Sequence, residues 1–402
     1  MSRNTALFKS VIANTITIVV ILFIGFVIGA KVSGTPSSNN IFASTSSEDV
    51  DLHTFWRVWD LLENKYPFDD QKPDQEEKIY GAIQGLTSSY EDPYTIFLEP
   101  GEAKLFNEDV GGSFSGVGME VGVRDGFLVV IAPLKDSPAE RAGVRAGDII
   151  IAVDGQAAGE MFLDEAVQNI RGKKGTDVVL NIAREDESEP IDIVVTRDTI
   201  IVPTTETEIV GEDIFKINLY SFSANVTRDF EKAIRDFEES SYKKLIVDVR
   251  SNPGGFLEAA IDIASFFVPQ GKPIVIEDFG DDRSEISYRS KGFPLLAGKD
   301  YDMVILMDAG SASASEILAG ALSEHDVATL VGDQTFGKGS VQELVPLPDK
   351  SSVKITIARW LTPDGNSIEG NGLTPDHAVE MTVEDYENDR DPQLAKAIEL
   401  LE

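Results

Sequence analysis

Lys244-Leu245-Ile246-Val247-Asp248-Val249-Arg250-Ser251-Asn252-Pro253-Gly254-Gly255 decides the architecture of this chain. Lys244 to Val249 predicts a strand, Ser251 to Gly255 a turn, and Phe256 to Phe267 an amphipathic helix. The pattern repeats downstream. Met303 to Met307 leads through Asp308 to Ala312 into a helix that runs to about Ser323, and Ala328 to Val331 enters a loop around Gly337. Apolar strands alternating with helices indicate βαβ units, hence an α/β fold with a parallel-rich sheet flanked by helices. Ligands of such sheets bind beyond the carboxyl ends of the strands, where Pro253-Gly254-Gly255, Ser313 and Lys338 all fall.

Upstream the texture differs. From about Leu105 to Asp198 short alternating strands are expected at Phe127 to Ile131, Asp148 to Val153, Asp177 to Ala183 and Ile191 to Thr196, with helical spacing over Leu163 to Arg171. Before them, Phe55, Val58, Trp59 and Leu62 form one face of a helix ending near Pro67, and a second helix is expected from about Pro73 to Ser89. Such a stripe serves core packing or a subunit contact. Ser33 to Ser47 reads as a flexible tether. Val11 to Ala30 holds 20 residues without a charge, enough at 1.5 Å each to cross about 30 Å of hydrocarbon. Arg3 and Lys9 precede it, so the positive-inside bias leaves everything after it outside the cell. The alternative is a cleaved signal peptide, but the apolar run is longer than those usually are, and Ile28 stands where a small residue is wanted. The expected organisation is an anchor at 1–31, a linker at 32–47, a helical segment at 48–100, a β-rich domain at 101–199 and the α/β core at 200–402.

The 402 residues carry a formal charge of -34, which works against nucleic acid because phosphate binding needs Lys and Arg. Clusters such as Glu185-Asp186-Glu187 read as solvated surface. Without cysteine there is no thiol nucleophile, Cys-ligated metal or disulfide framework. No metal or cofactor is called for.

Ser313 opens Ser313-Ala314-Ser315-Glu316, a capping box before an apolar helix, and Lys338 stands 25 residues later in Thr335-Phe336-Gly337-Lys338-Gly339-Ser340-Val341-Gln342. A serine at a helix N-terminus has free backbone N–H groups beside it, but its hydroxyl needs a base. His53, His325 and His377 lie in no recognisable motif, and no Gly-x-Ser-x-Gly elbow occurs, so lysine is the better base than a histidine of a triad. Lowering a lysine pKa of about 10.4 by about 3 units costs about 4 kcal/mol, so Lys338 should be enclosed, and Phe336 with its flanking glycines fits a tight loop folding under a hydrophobic lip. An oxyanion would take donors from Ala314 N–H and from Gly254 or Gly255.

Two resemblances sharpen these expectations. Ser137-Pro138-Ala139-Glu140-Arg141-Ala142-Gly143-Val144-Arg145-Ala146-Gly147-Asp148-Ile149-Ile150, continuing to Gly155, is similar to the signature of bacterial PDZ domains. It implies a groove that takes the chain end of a partner by β-augmentation, with Gly116-Val117-Gly118-Met119 where the carboxylate-binding loop would lie. Arg171, in the basic turn Arg171-Gly172-Lys173-Lys174, is either an ordinary exposed residue or a sensor that reports peptide occupancy to the core. Asp248 to Gly255, Ser311 to Glu316 and Thr335 to Gln342 together resemble the C-terminal processing peptidases, tail-specific serine proteases with a Ser-Lys dyad and a ClpP/crotonase-like core. Ser251 and Val249 depart from the common Asn and Leu. The resemblance implies Ser313 as nucleophile, Lys338 as base and Gln342 as the residue orienting Lys338. It also implies unfolded or C-terminally exposed protein substrates, and a homodimer built on the amino-terminal helices and the closing helix around Asp391-Pro392-Gln393-Leu394. An activator or adaptor is unspecified. The rival from another class is a catalytically silent PDZ-containing scaffold.

Overall fold

The computed structural model describes residues 50–402 except 125, 162, 185, 186, 188, 281, 282, 294, 383, 386, 387 and 389. The anchor expected at Val11 to Ala30 and the tether at Ser33 to Ser47 lie outside the described residues. Among those described, no helix is long and apolar enough to cross a membrane. The chain divides into two compact units, Met1–Gln75 and Glu76–Glu402.

In the first unit α1 (His53–Lys65) forms where the spacing predicts a helix, yet none of its residues is buried, and Phe55, Trp56, Val58 and Leu62 are all exposed. Its aromatic rings pack on one another, Phe55 edge-on to Trp56 with centroids 5.1 Å apart.

The second unit is entered through α2 (Gln75–Ser88). A three-residue strand, β1 (Ile96–Leu98), and α3 (Pro100–Val110) follow. Next come β2 (Ser113–Gly116), β3 (Met119–Arg124), β4 (Phe127–Pro133), α4 (Pro138–Ala142), β5 (Ile149–Val153), β6 (Gln156–Ala157), α5 (Leu163–Ile170), β7 (Asp177–Ala183), β8 (Ile191–Thr196) and β9 (Asp198–Ile201). β3, β4, β5, β7 and β8 make one antiparallel sheet with β6 beside β5, over its own core of Val130, Ile150, Val178, Leu180 and Ile182. β2 and β9 pair antiparallel, Ser113 with Ile201 through Gly116 with Asp198, so the two ends of this domain are tied together where it leaves the rest of the chain. Asp148 is buried and takes the Arg184 guanidinium at 2.7 Å and the Arg145 N–H at 2.8 Å, which fixes the turn of the PDZ-like motif.

The core contains β10 (Thr205–Val210), β11 (Ile214–Leu219), α6 (Val226–Glu239), β12 (Lys244–Asp248), α7 (Leu257–Ala264), β13 (Pro273–Asp278), β14 (Ile286–Arg289), β15 (Asp302–Met307), α8 (Ala314–Glu324), β16 (Thr329–Gly332), β17 (Ser340–Pro346), β18 (Ser352–Leu361), β19 (His377–Ala378) and α9 (Pro392–Leu401). Its main sheet has the order β10-β11-β12-β15-β16-β19, parallel except for the first pair. Successive side chains alternate faces. Leu245, Val247, Ile305 and Met307 pack with α6, α7 and α8, while Ile246, Val304 and Leu306 pack against Ala397 and Leu401 of α9. Both faces are thus covered, as the all-apolar strands require. The closing helix packs Ala397 and Leu401 inside its own chain, while Leu400 is exposed. Its N-cap, Asp391, also receives Arg250 at 2.9 Å.

A second, antiparallel sheet runs β1-β18-β13-β14 with β17 on β18. β1, placed by sequence in a helical segment, belongs to this sheet. Three residues are too few to show a period.

Candidate active site

β12 ends in the turn that carries the glycines. Asn252, fully buried, ties this turn to its surroundings: its Nδ2 donates to Leu219 O at 2.6 Å, and its carbonyl accepts from Ala312 N at 3.0 Å and Ser315 Oγ at 2.9 Å. Gly254 has φ 97°, and a Cβ there would stand 2.8 Å from Ser313 Cβ and 2.6 Å from Ala312 O. Only glycine lets the turn approach the serine this closely. The Gly254 N–H is already given to Asn252 Oδ1 at 2.9 Å. Of the two candidate oxyanion glycines, Gly255 is therefore the one whose N–H has no acceptor among the described residues, as is true of Ala314 N–H at the start of α8.

Ser313 sits at φ 56° and ψ -113°, a conformation costing about 1–3 kcal/mol for a non-glycine residue. It is held by its N–H bond to Glu316 Oε2 at 2.8 Å, the glutamate half of the expected capping box. The same buried carboxylate reaches much further than a cap does. Oε1 accepts from Thr335 Oγ1 at 2.6 Å and Gly337 N at 2.7 Å, and Oε2 accepts from Lys338 N at 3.0 Å. One side chain therefore fixes the serine turn and the lysine loop together, a role sequence reasoning missed.

Lys338 is half-buried, with Nζ 5.2 Å from the centroid of the Tyr94 ring. Burial pushes its ammonium below the ordinary lysine value, and the Glu316 and Glu369 carboxylates oppose that shift. The enclosure comes from Tyr94. Phe336, in the loop expected to fold under a hydrophobic lip, is exposed. Gln342 lines the same cavity, but among the described residues its amide donates to Ser340 Oγ at 2.7 Å and not to Lys338. A register shift between Val341 and Gln342 in the β17–β18 pairing accompanies that orientation. No hydrogen bond joins Ser313 and Lys338 among the described residues, and such bonds often tighten only in the substrate complex. His325 Nε2 donates to Pro273 O at 2.6 Å and lines no part of the cavity, which leaves it without a base's task.

Ser313, Ala314, Lys338, Gln342, Gly254 and Gly255 all line one cavity of about 660 Å³. Phe106, Asn107, Val110 and Gly111 line it too, so 101–111, assigned by sequence to the β-rich domain, faces the catalytic cavity. The peptide-binding candidates lie elsewhere. Gly116 ends β2, Val117 is buried with its carbonyl on Ala139 N at 2.8 Å, and Met119 begins β3. Gly118 has φ 74° and no room for a Cβ against Ser137 and Ile200. β3 is an edge strand with α5 beside it, the arrangement that β-augmentation requires. Arg171 is no simple exposed turn residue: its guanidinium lies 4.2 Å from the Phe114 ring centroid and 3.7 Å from Glu108 on α3.

Comparison with known proteins agrees with this geometry. Residues 213–379 match the model of peptidase family S41, and residues 129–184 match that of a PDZ domain. Over 339 residues the chain is 38% identical to the carboxy-terminal processing protease CtpB of Bacillus subtilis (strain 168), covering 83% of this chain and 69% of that one. The chain belongs to peptidase family S41. It is a serine peptidase with a PDZ domain. It is also 36% identical to CtpA of the same organism, across 84% of this chain and 71% of the relative. Among solved structures it resembles the photosystem II D1 C-terminal processing protease, at a TM-score of 0.50 and 28% identity over 81% of this chain and 87% of that one. A putative S41 protease from Bacteroides fragilis shares the fold at a TM-score of 0.54 and 16% identity, covering 82% and 91%.

Proposed function

We propose that this S41 peptidase is a membrane-anchored, extracytoplasmic endopeptidase that captures an apolar free C-terminus in its PDZ groove and cleaves nearby through an acyl-enzyme. Ser313 Oγ attacks the scissile carbonyl, and Lys338, whose burial favours the neutral amine, takes the hydroxyl proton and returns it to the leaving amine. The tetrahedral oxyanion takes the N–H groups of Gly255 and Ala314. The observation that carries this reading is that one cavity holds the serine, a lysine of depressed basicity and two unengaged backbone donors. The same completeness disfavours the silent scaffold, which has no use for it.

Arg171 supports a sensor role for the PDZ domain. It follows α5, which borders the peptide groove, and contacts Glu108 on the helix whose Phe106 and Val110 line the catalytic cavity. The anchor at Val11 to Ala30 and the exposed apolar face of α1 support a protein held at the membrane and paired with a second copy.

The test is intact-mass analysis of an unfolded reporter with an apolar free C-terminus, incubated with the full chain in detergent and with its Lys338→Ala form. Cleavage near the tail by the first and not the second is the expected outcome. Reporter that stays bound and intact with both would favour the scaffold.

A further inference from the structure

The catalytic cavity is electrically polar along its length. Lys354 and Trp360 both line it and both belong to β18, six residues apart, which is about 20 Å of extended strand. The β17–β18 ladder slips by one residue at Ile357, and Lys354 and Trp360 line the cavity on either side of that slip, while Ile355 and Arg359 are exposed. The Trp360 end carries acid. Glu277 stands opposite Trp360 in the β13–β18 ladder, is buried, and accepts from Tyr288 Oη–H at 2.8 Å. Burial, the bond to Glu277 and the nearby Glu258 carboxylate together push the Tyr288 hydroxyl up to about 12.

The other end is cationic. Lys354 Nζ lies 5.5 Å from the Phe106 ring centroid, and burial, then the charge of Lys338, holds its ammonium below the ordinary lysine value. Among the described residues it makes no ion pair. The nearby Asp92 carboxylate is committed to Tyr94 N at 3.0 Å and Thr95 Oγ1 at 2.6 Å. Burying an ammonium with no direct ion-pair partner is costly even with the Asp92 charge nearby to favour it, and it is conspicuous where 69 acidic residues face 35 basic ones. The cost is relieved when the ligand brings the anion.

A peptide laid along this groove has one obligatory anion, the α-carboxylate at its end. We propose that Lys354 is the subsite for the free α-carboxylate of the substrate's tail, so that the groove reads a short tail directly, with its C-terminal end at Lys354 and its N-terminal side toward Glu277. This rests on the peptidase reading above and is separate from carboxylate capture by the PDZ domain.

The test uses the full chain and a short apolar peptide prepared as free acid and as C-terminal amide. Wild type should cleave the acid with a kcat/KM about tenfold or more above that of the amide, the worth of a charge-assisted hydrogen bond. Lys354→Met should bring the ratio to about one, and Lys354→Arg should keep most of it. An unchanged ratio in Lys354→Met would overturn the proposal, because the carboxylate is then read elsewhere. Equal slowing of acid and amide would also overturn it, since the lysine then acts only on Lys338 or the fold. Binding of the two peptides to Ser313→Ala, and to the double variant with Lys354→Met, reads the same preference without turnover. A preference in Ser313→Ala that is lost on adding Lys354→Met, without cleavage by wild type, would count against the peptidase reading and for the subsite.

Discussion

Replacing Glu316 by Gln is the sharpest test of how this site is assembled. The carboxylate is fully buried and accepts four hydrogen bonds, two at each oxygen. Glutamine has the same shape but only one oxygen, so whichever way the amide turns, two donors lose their acceptor and face an NH2 group. A buried donor left unmade costs about 1–3 kcal/mol. Partial relaxation brings the sum for two to about 3 kcal/mol, which for a domain of this size lowers Tm by about 6–10 °C. Either orientation frees Ser313 N or the Thr335 and Gly337 pair. If half of that energy is specific to the aligned site, kcat falls by at least tenfold at similar KM. The charge matters separately. Glu316 favours the protonated form of Lys338, so its loss should move the acid limb of kcat/KM to lower pH. Thermal unfolding and pH–rate profiles of Glu316→Gln read both effects. A variant with wild-type Tm, kcat and pH profile would refute the idea that this carboxylate unites the two loops.

Other consequences can be measured in the same way. Because neutral Lys338 is the active form and burial lowers its pKa, kcat/KM in the wild type should rise with pH along a limb below the ordinary lysine value near 10.4, and Lys338→Ala should abolish turnover. Between the folded and unfolded pKa values the unfolded chain binds the extra proton at Lys338, so this residue makes stability rise with pH there, which urea titrations of wild type and Lys338→Met would show by difference. Gly254→Ala forces a Cβ against Ser313 at a φ of 97° and should cost at least a hundredfold in turnover while leaving peptide binding by the PDZ domain unchanged. Arg171→Ala should slow cleavage of a long, PDZ-engaging substrate and spare a short peptide. Equal rates on both substrates would remove Arg171 from any signalling role.

The elements legible in the sequence are those whose signal is local. The run Leu245 to Val249 fixes a strand buried on both faces, and the Pro-Gly-Gly turn marks the sheet edge at which Ser313 and Lys338 meet. What escaped depends on partners far apart in the chain. Glu316 looks like half of a capping box because the three donors it gathers from the lysine loop come from residues 19 to 22 positions away. Tyr94, which encloses Lys338, lies more than two hundred residues upstream, and no period or motif links the two. Arg250 bridges Asp248 at 2.7 Å and, across more than a hundred residues of sequence, Asp391 at 2.9 Å, and so ties the strand that leads into the oxyanion turn to the cap of the closing helix. Gln342 differs again: its position in the motif points to Lys338, while in this structure a register shift one residue away accompanies an amide set on Ser340. Motifs give the chemical groups of such a site, while the hydrogen bonds that aim them are settled by the packing of strands and loops that share no sequence neighbourhood. Mutations at Glu316 and Tyr94 should therefore bear on Lys338 basicity more directly than mutations at Gln342, an ordering that one set of pH–rate profiles can establish.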